Sequence, residues 1–481
     1  MTVRLAVACL VILAFVAGCA NRRTVAVFLS AKNGEGNYHL IAPGRLAIDR
    51  KGNFIVAGWD FGSREDFGVA NLDFTGYGNS VFVAKYGHSD HLEWIRQSPG
   101  ESFSSMAVDT LGSIYIAGFF RGSARFGDTE MQSCYFGNYF LSKYDTEGKL
   151  LWTRQGSGTA HDLAIDGTGN VVVAGMFGDS SPAGRGSCGP VGYYGDLTLT
   201  NAGFDDAFIA KYDTNGRVLW VRQIGGPNDD RGYGIAVDQV ENIYVTGIIG
   251  GNPNVFSTNL AAHAVSFGTI ALTNDGVADG FLSKYDSHGQ LLWARTTGIK
   301  AAVPTIMGDR SSFGVACDDK GNAFITGTSR NSPRPTASST NETGNIFIEK
   351  FSPKGSLLWN HEVYGQSQGA SWHIATDHHG NAFLAGLKST SRIVGTNYPP
   401  FNGISQFGPR VMTTNNFSVY IKEFDGGGRV NWSYEQESSP TARCSDILVA
   451  KNRIFLTGNI TQLSLPLRAA DTFSNLCLIQ F

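Results

Sequence analysis

One phrase recurs along this chain and limits what it can fold into. In full it reads GYGIAVDQVENIYVTG at 232–247 and, after an insert, GFLSKYDSHGQLLWAR at 280–295. Versions of it begin near Arg45, Ser105, Asp162, Gly234, Gly314, His373 and Asp446. Each holds four short apolar stretches. The first is followed by an Asp and often by Gly-Asn, as at Asp49…Gly52-Asn53, Asp166…Gly169-Asn170 and Asp377…Gly380-Asn381. Asp bonds its own turn and Gly supplies positive φ, so this is a tight hairpin. The second stretch ends in Gly. A second tight turn (Asp145…Gly148, Asp213…Gly216, Asp286…Gly289) separates the third stretch from a Leu-Leu-Trp strand. A four-stranded unit cannot bury both of its faces alone, but neighbours around a ring cover them. The expected fold is all-β, a seven-bladed β-propeller.

The seventh copy stops at its third strand, Leu476 to Phe481. The missing outer strand is available at the other end of the chain, where Val25 to Ser30 precede the first copy. Aligned by its aromatic residue, this segment puts Phe28 in the tryptophan slot. The ring is therefore expected to be closed by an N-terminal strand completing the last blade, which removes exposed strand edges. The other copies place Trp94, Trp152, Trp220, Trp293, Trp359 and Trp432 in that slot. A ladder in phase with the repeat reads as packing between blades, since a binding site would use one or two such rings.

The chain has 481 residues, 16% of them charged, and a net charge of −3, with Lys and Arg scattered. That gives no electrostatic footprint for nucleic acid. Arg4 precedes an apolar run from Leu5 to Ala17, too short to span a bilayer and fitting a signal peptide. Val16-Ala17-Gly18-Cys19 resembles the bacterial lipobox. That resemblance implies a signal peptide over 1–18, lipidation of Cys19 with a short tether over 19–23, and a propeller over 24–481. By the same resemblance Ala20 favours the outer membrane. At roughly 3.4 Å per residue the tether reaches about 15 Å, which would hold the last blade near the bilayer. Cys317 and Cys477 sit in apolar core slots. Cys134 and Cys188 lie in successive inserts, and export permits a disulfide between them, which the sequence leaves open. No metal-ligand spacing and no cofactor motif is present.

The phrases DDRGYGIAVD (229–238), NIYVTG (242–247), SFGTIALTNDG (266–276) and SKYDSHGQLLW (283–293) resemble the bacterial SBBP-type β-propeller repeat. The resemblance covers essentially all of 24–481 and implies a fold, not an activity.

Two places could carry function. The long connections (60–79, 120–138, 177–206, 248–279, 328–344, 388–417) fall on one face, and variable connections on a constant scaffold are the usual seat of binding. The candidate residues there are Trp372, Asp229, Asp230, Arg231, Tyr193 and Tyr194, set against a reading of the inserts as solvated decoration. The second place is the channel mouth, where Arg45, Asp162, His373 and Asp446 begin innermost strands. They could polarise a ligand, or simply form a satisfied polar ring with Arg45 paired to Asp446. The expectation is a membrane-anchored, monomeric, non-catalytic binding or scaffold propeller with a protein or glycan partner. The alternative is a propeller enzyme, a quinoprotein-like dehydrogenase or a hydrolase, at the channel mouth.

Overall fold

The computed structural model describes residues 25–29, 41–60, 80–87, 92–99, 102–135, 137–178, 189–251, 263–274, 279–297, 314–330, 344–367, 373–394, 412–438, 443–450, 453–459 and 476–480. The expected signal segment, Cys19 and its tether, Trp372 and Cys188 lie outside them. Cys134 is disulfide-bonded.

The described residues form strands and turns, with no helix among them. Every copy of the phrase becomes an antiparallel meander. In the fourth, Asp229–Val237, Ile243–Gly251, Asp279–Tyr285 and Leu291–Thr296 pair in chain order. The middle two strands are buried on both faces because neighbouring repeats cover them. They therefore read as near-continuous apolar runs, and every residue of Asp205–Tyr212 and of Asp279–Tyr285 is buried. The fold is an all-β propeller.

The strand count per sheet departs from expectation. Among the described residues there are six sheets of four or more strands, not seven separate ones. The fifth and sixth repeats share one eight-stranded sheet, because the outer strand Leu357–Ser367 runs far enough to pair Gln366 with Ser389 on Ala382–Val394. The inserts are also more regular than expected. Ser123–Phe126 with Thr129–Gln132, Val191–Tyr194 with Leu197–Thr200, and Ala264–Ser266 with Ala271–Thr273 are small hairpins. Two of them bond back to the preceding repeat, at Gly156↔Tyr194 and Gly225↔Ser266. The 388–417 connection begins and ends as paired strand, out to Val394↔Met412.

The strand Val25–Leu29 pairs with Leu476–Gln480 and makes the last sheet four-stranded. Its register corrects one expectation. In the first five repeats the tryptophan faces the last Lys of the third strand, as in Lys85↔Trp94 and Lys284↔Trp293, and in the sixth it faces Glu423 at the same place. The equivalent of that Lys is Gln480, and it faces Val25, while Phe28 faces Cys477. Alignment by aromatic size shifted the strand by three residues.

Neighbouring repeats are joined by a clasp that five successive repeats share. In the third, Lys211 Nζ and Trp220 Nε1 both donate to the Ser287 carbonyl of the next repeat, each at 3.1 Å. Arg222 lies over the Trp220 ring and donates to Gly289 O at 2.7 Å. The same carbonyl takes both donors in the pairs Lys85/Trp94, Lys143/Trp152, Lys284/Trp293 and Lys350/Trp359. The lysine is buried and also paired to its own repeat's turn Asp, at 2.8 Å for Lys211 and Asp166. Glycine in the receiving turn is required twice. Gly148 has φ 75°, and a Cβ there would lie 2.8 Å from the Trp94 ring.

Candidate functional site

The innermost strands carry the channel-mouth residues, and all but His373, whose ladder is regular, are aimed by a defect in the pairing. The register slips just before Arg45, Ser105, Asp162, Gly234 and Asp446. A bulge of this kind turns the next side chain relative to the regular pleat. No pattern of residue types marked these bulges in advance.

The ring residues meet. Arg45 Nη2 lies 2.7 Å from Asp162 Oδ1, and Arg45 Nη1 lies 3.2 Å from Asp446 Oδ1. Ser105 Oγ donates to Asp162 Oδ1 at 2.7 Å. Backbone N–H groups supply the rest. Leu163 and Ile235 donate to Asp162 at 3.0 and 3.1 Å, while Leu46 and Ile447 donate to Asp446, each at 3.0 Å. Asp162 thus ties together four repeats and Asp446 two. His373 Nδ1 is 3.8 Å from Asp446 Oδ1, too far for a hydrogen bond. Beside the ring, His161 Nδ1 donates to Gly232 O at 2.7 Å and its ring stacks on Tyr233.

The electrostatics follow from burial. Burial opposes the Arg45 charge, but Asp162 and then Asp446 outweigh it and raise its pKa. Burial raises the Asp446 pKa, offset in part by Arg45. Burial, with Arg45 nearby, lowers His373 to about 3, so its imidazole is neutral near pH 7. The ring is a largely buried Arg–diacid unit with its acceptors occupied, beside one neutral imidazole.

The candidates on the opposite reading scatter. Tyr193 is 59% exposed, as a binding residue should be. Tyr194 is not: it is fully buried against Tyr139, Phe177 and Phe208. Asp229 and Asp230 are buried as well, and Arg231 bonds Asp229 and Asp205, each at 3.3 Å. Asp205 and Asp206 were missed. Their signal was a second Asp-Asp pair, at the head of the third repeat's third strand. No group of three or more His, Cys, Asp or Glu side chains could hold a metal among the described residues.

Fold and ring together define a β-propeller repeat protein. Residues 219–253 match the family model of the SBBP β-propeller repeat, so the chain carries that repeat. An uncharacterized WD repeat-containing protein of Acanthamoeba polyphaga mimivirus is 24% identical over 89% of the chain. The chain spans 36% of that relative's length. Among solved structures, the Dos1 propeller aligns over 94% of both chains at 11% identity, with a TM-score of 0.42. BamB from Moraxella catarrhalis aligns over 91% of this chain and 96% of its own, at 12% identity and a TM-score of 0.37. A polysaccharide lyase, the PL25 ulvan lyase, covers 90% of each chain at 10% identity and a TM-score of 0.41. At such scores the fold rests on the chain's own sheets.

Proposed function

We propose that this chain is a bacterial envelope lipoprotein, anchored through Cys19 to the outer membrane. Its propeller is a monomeric, non-catalytic binding or scaffold module that offers its long-connection face to a protein or glycan partner. The observation that carries this reading is the state of the channel mouth. Asp162 and Asp446 use their oxygens on Arg45, Ser105 and backbone N–H groups, which leaves them poorly placed to act on a ligand. The inserts after the second strands of the second, third and fourth repeats carry the small hairpins and the exposed Tyr193 instead. We read the eight-stranded sheet as two blades joined by one pairing, which makes seven in all.

The anchor is tested by Cys19→Ser, which should move the protein from the membrane fraction to the soluble one. Crosslinking from detergent-solubilised membranes tests the rest. A specific partner lost in a variant whose 123–132 and 191–200 hairpins are replaced by short turns supports the reading. A partner retained by that variant sinks it. The enzyme alternative draws on one observation, the neutral His373 beside Asp446. It requires a small-molecule turnover that His373→Gln abolishes.

A further inference from the structure

The seam between the third and fourth repeats holds a polar cluster outside the channel ring. Asp205 and Asp206 open the strand Asp205–Tyr212, and Asp229, Asp230 and Arg231 open Asp229–Val237. The link Gly225-Gly226-Pro227 runs between them. Asp206 and Asp230 are both completely buried. Asp206 Oδ2 accepts from Ala202 N at 2.6 Å and from Gln223 Nε2 at 2.5 Å. Asp230 Oδ1 accepts from Gly250 N at 2.7 Å. Both carboxyls also face the Gly226 N–H. Yet Asp206 Oδ1 and Asp230 Oδ2 have no hydrogen-bond partner. Among the described residues, the cation at the seam is Arg231, and it bonds Asp205 and Asp229 instead.

Two desolvated carboxylates with no cation at either is a costly arrangement. A proton on either carboxyl removes a buried charge and turns an orphaned oxygen into a hydroxyl. We propose that Asp206 and Asp230 form a proton-held latch that closes the seam between the third and fourth repeats and loosens when the proton leaves. What the latch holds is visible in its bonds: the turn at Ala202, the Gly226 link and the strand end at Gly250. There is no slack over it, since a Cβ on Gly225 would lie 2.5 Å from Asp206 Cγ.

The groups facing the pair reinforce this. Asp205 and Asp229 add negative charge, and Asp279 stands opposite Ile249 on the adjoining strand. Tyr194 and Tyr233 are neutral, and Arg231 is neutralised by its two acids. Burial, then neighbouring acids, raises Asp206 and Asp229 to about 6 and Asp230 to about 8. A carboxyl whose folded pKa is raised stabilises the closed form fully below its unfolded value, near 3.8. That stability is lost as pH climbs toward the folded value. The latch is therefore tight in acid and weakens up to about pH 8.

Amide hydrogen exchange on the full chain, corrected for intrinsic rates, reads this directly at Ala202, Gly226 and Gly250. Between about pH 5 and about pH 8 the opening constant of the seam should rise, by up to about tenfold per pH unit for one proton. Asp230→Asn and Asp206→Asn, which are neutral and can donate, should flatten that rise and protect the seam at the alkaline end. A flat wild-type profile overturns the proposal without any variant. So does an Asn variant that loses protection equally at every pH, which is how an ordinary structural carboxylate behaves. Protection at about pH 8 that millimolar calcium restores would replace the proton with a cation and overturn it as well.

Discussion

Arg45 on the first repeat bonds Asp162 on the third at 2.7 Å, reaching past the whole second repeat. The other side of the same guanidinium reaches Asp446 on the last repeat, so one side chain spans the point where the chain's two ends meet. In a repeat array each unit ordinarily touches only its neighbours, and this guanidinium reaches beyond them. A largely buried charge shared by three repeats makes the ring less separable than the repeat alone would.

Arg45→Met should cost about 3 kcal/mol, the low end for a buried pair, because Asp446 is left buried and Asp162 partly buried without their cation. Urea denaturation followed by near-UV circular dichroism would measure it. Adding Asp162→Asn and Asp446→Asn to that variant should recover part of the loss. If Arg45→Met alone costs less than about 1 kcal/mol, the ion pairs are decoration.

The clasp predicts a pattern rather than one number. Trp220→Ala should cost about 3–5 kcal/mol through lost burial. Lys211→Met should cost a similar amount, since it strands Asp166, which has no exposed surface. Arg222→Ala should cost only about 1 kcal/mol. Lys211 and Trp220 share the Ser287 carbonyl, so their double variant should fall short of the sum by about 0.5–3 kcal/mol. Strict additivity would mean that the shared acceptor is not a unit.

Much of this was legible in the residues. Asp…Gly-Asn and the phase-locked Trp positions announce turns and inter-repeat packing because local chemistry dictates both. The buried lysines were not legible, since Lys at the end of a strand ordinarily reads as solvated and only the neighbouring repeat's carbonyl explains it. Phe28 misled for a related reason. Register is set by ladder pairing, and Gln480 facing Val25 leaves no residue type that marks the shift. Arg45, Asp162 and Asp446 could be placed on one rim by counting from the turn. Whether they paired or waited for a ligand depended on bulges that composition does not encode.

His373 predicts an acid-side weakness. Its pKa is lowered by burial, and also by Arg45, from 6.5 to about 3. A histidine with a lowered folded pKa stabilises the fold above its unfolded value, and that stability is lost as pH falls toward the folded one. Each unit between about 6.5 and about 3 should therefore remove up to about 1.4 kcal/mol. His373→Gln should lessen this slope while the opposing slope of the Asp206–Asp230 seam remains. A variant with the wild-type acid profile would show that His373 takes up its proton without cost.

The last prediction concerns the strand Val25–Leu29. Among the described residues it is the partner of Leu476–Gln480 on its outer side, through five aligned pairs. Removing residues 24–32 takes away those ladder bonds and leaves a bare strand edge at the end of the last sheet. An unpaired edge of this kind templates association with other chains. The melting temperature should drop and the truncated protein should aggregate as its concentration rises. The full chain should do neither under the same conditions. A synthetic peptide of sequence TVAVFLSAK, added in excess, should raise the melting temperature of the truncated form by mass action. A truncated protein that melts like the full chain would show that three strands suffice for the last sheet, and that Val25–Leu29 rests on the ring without closing it.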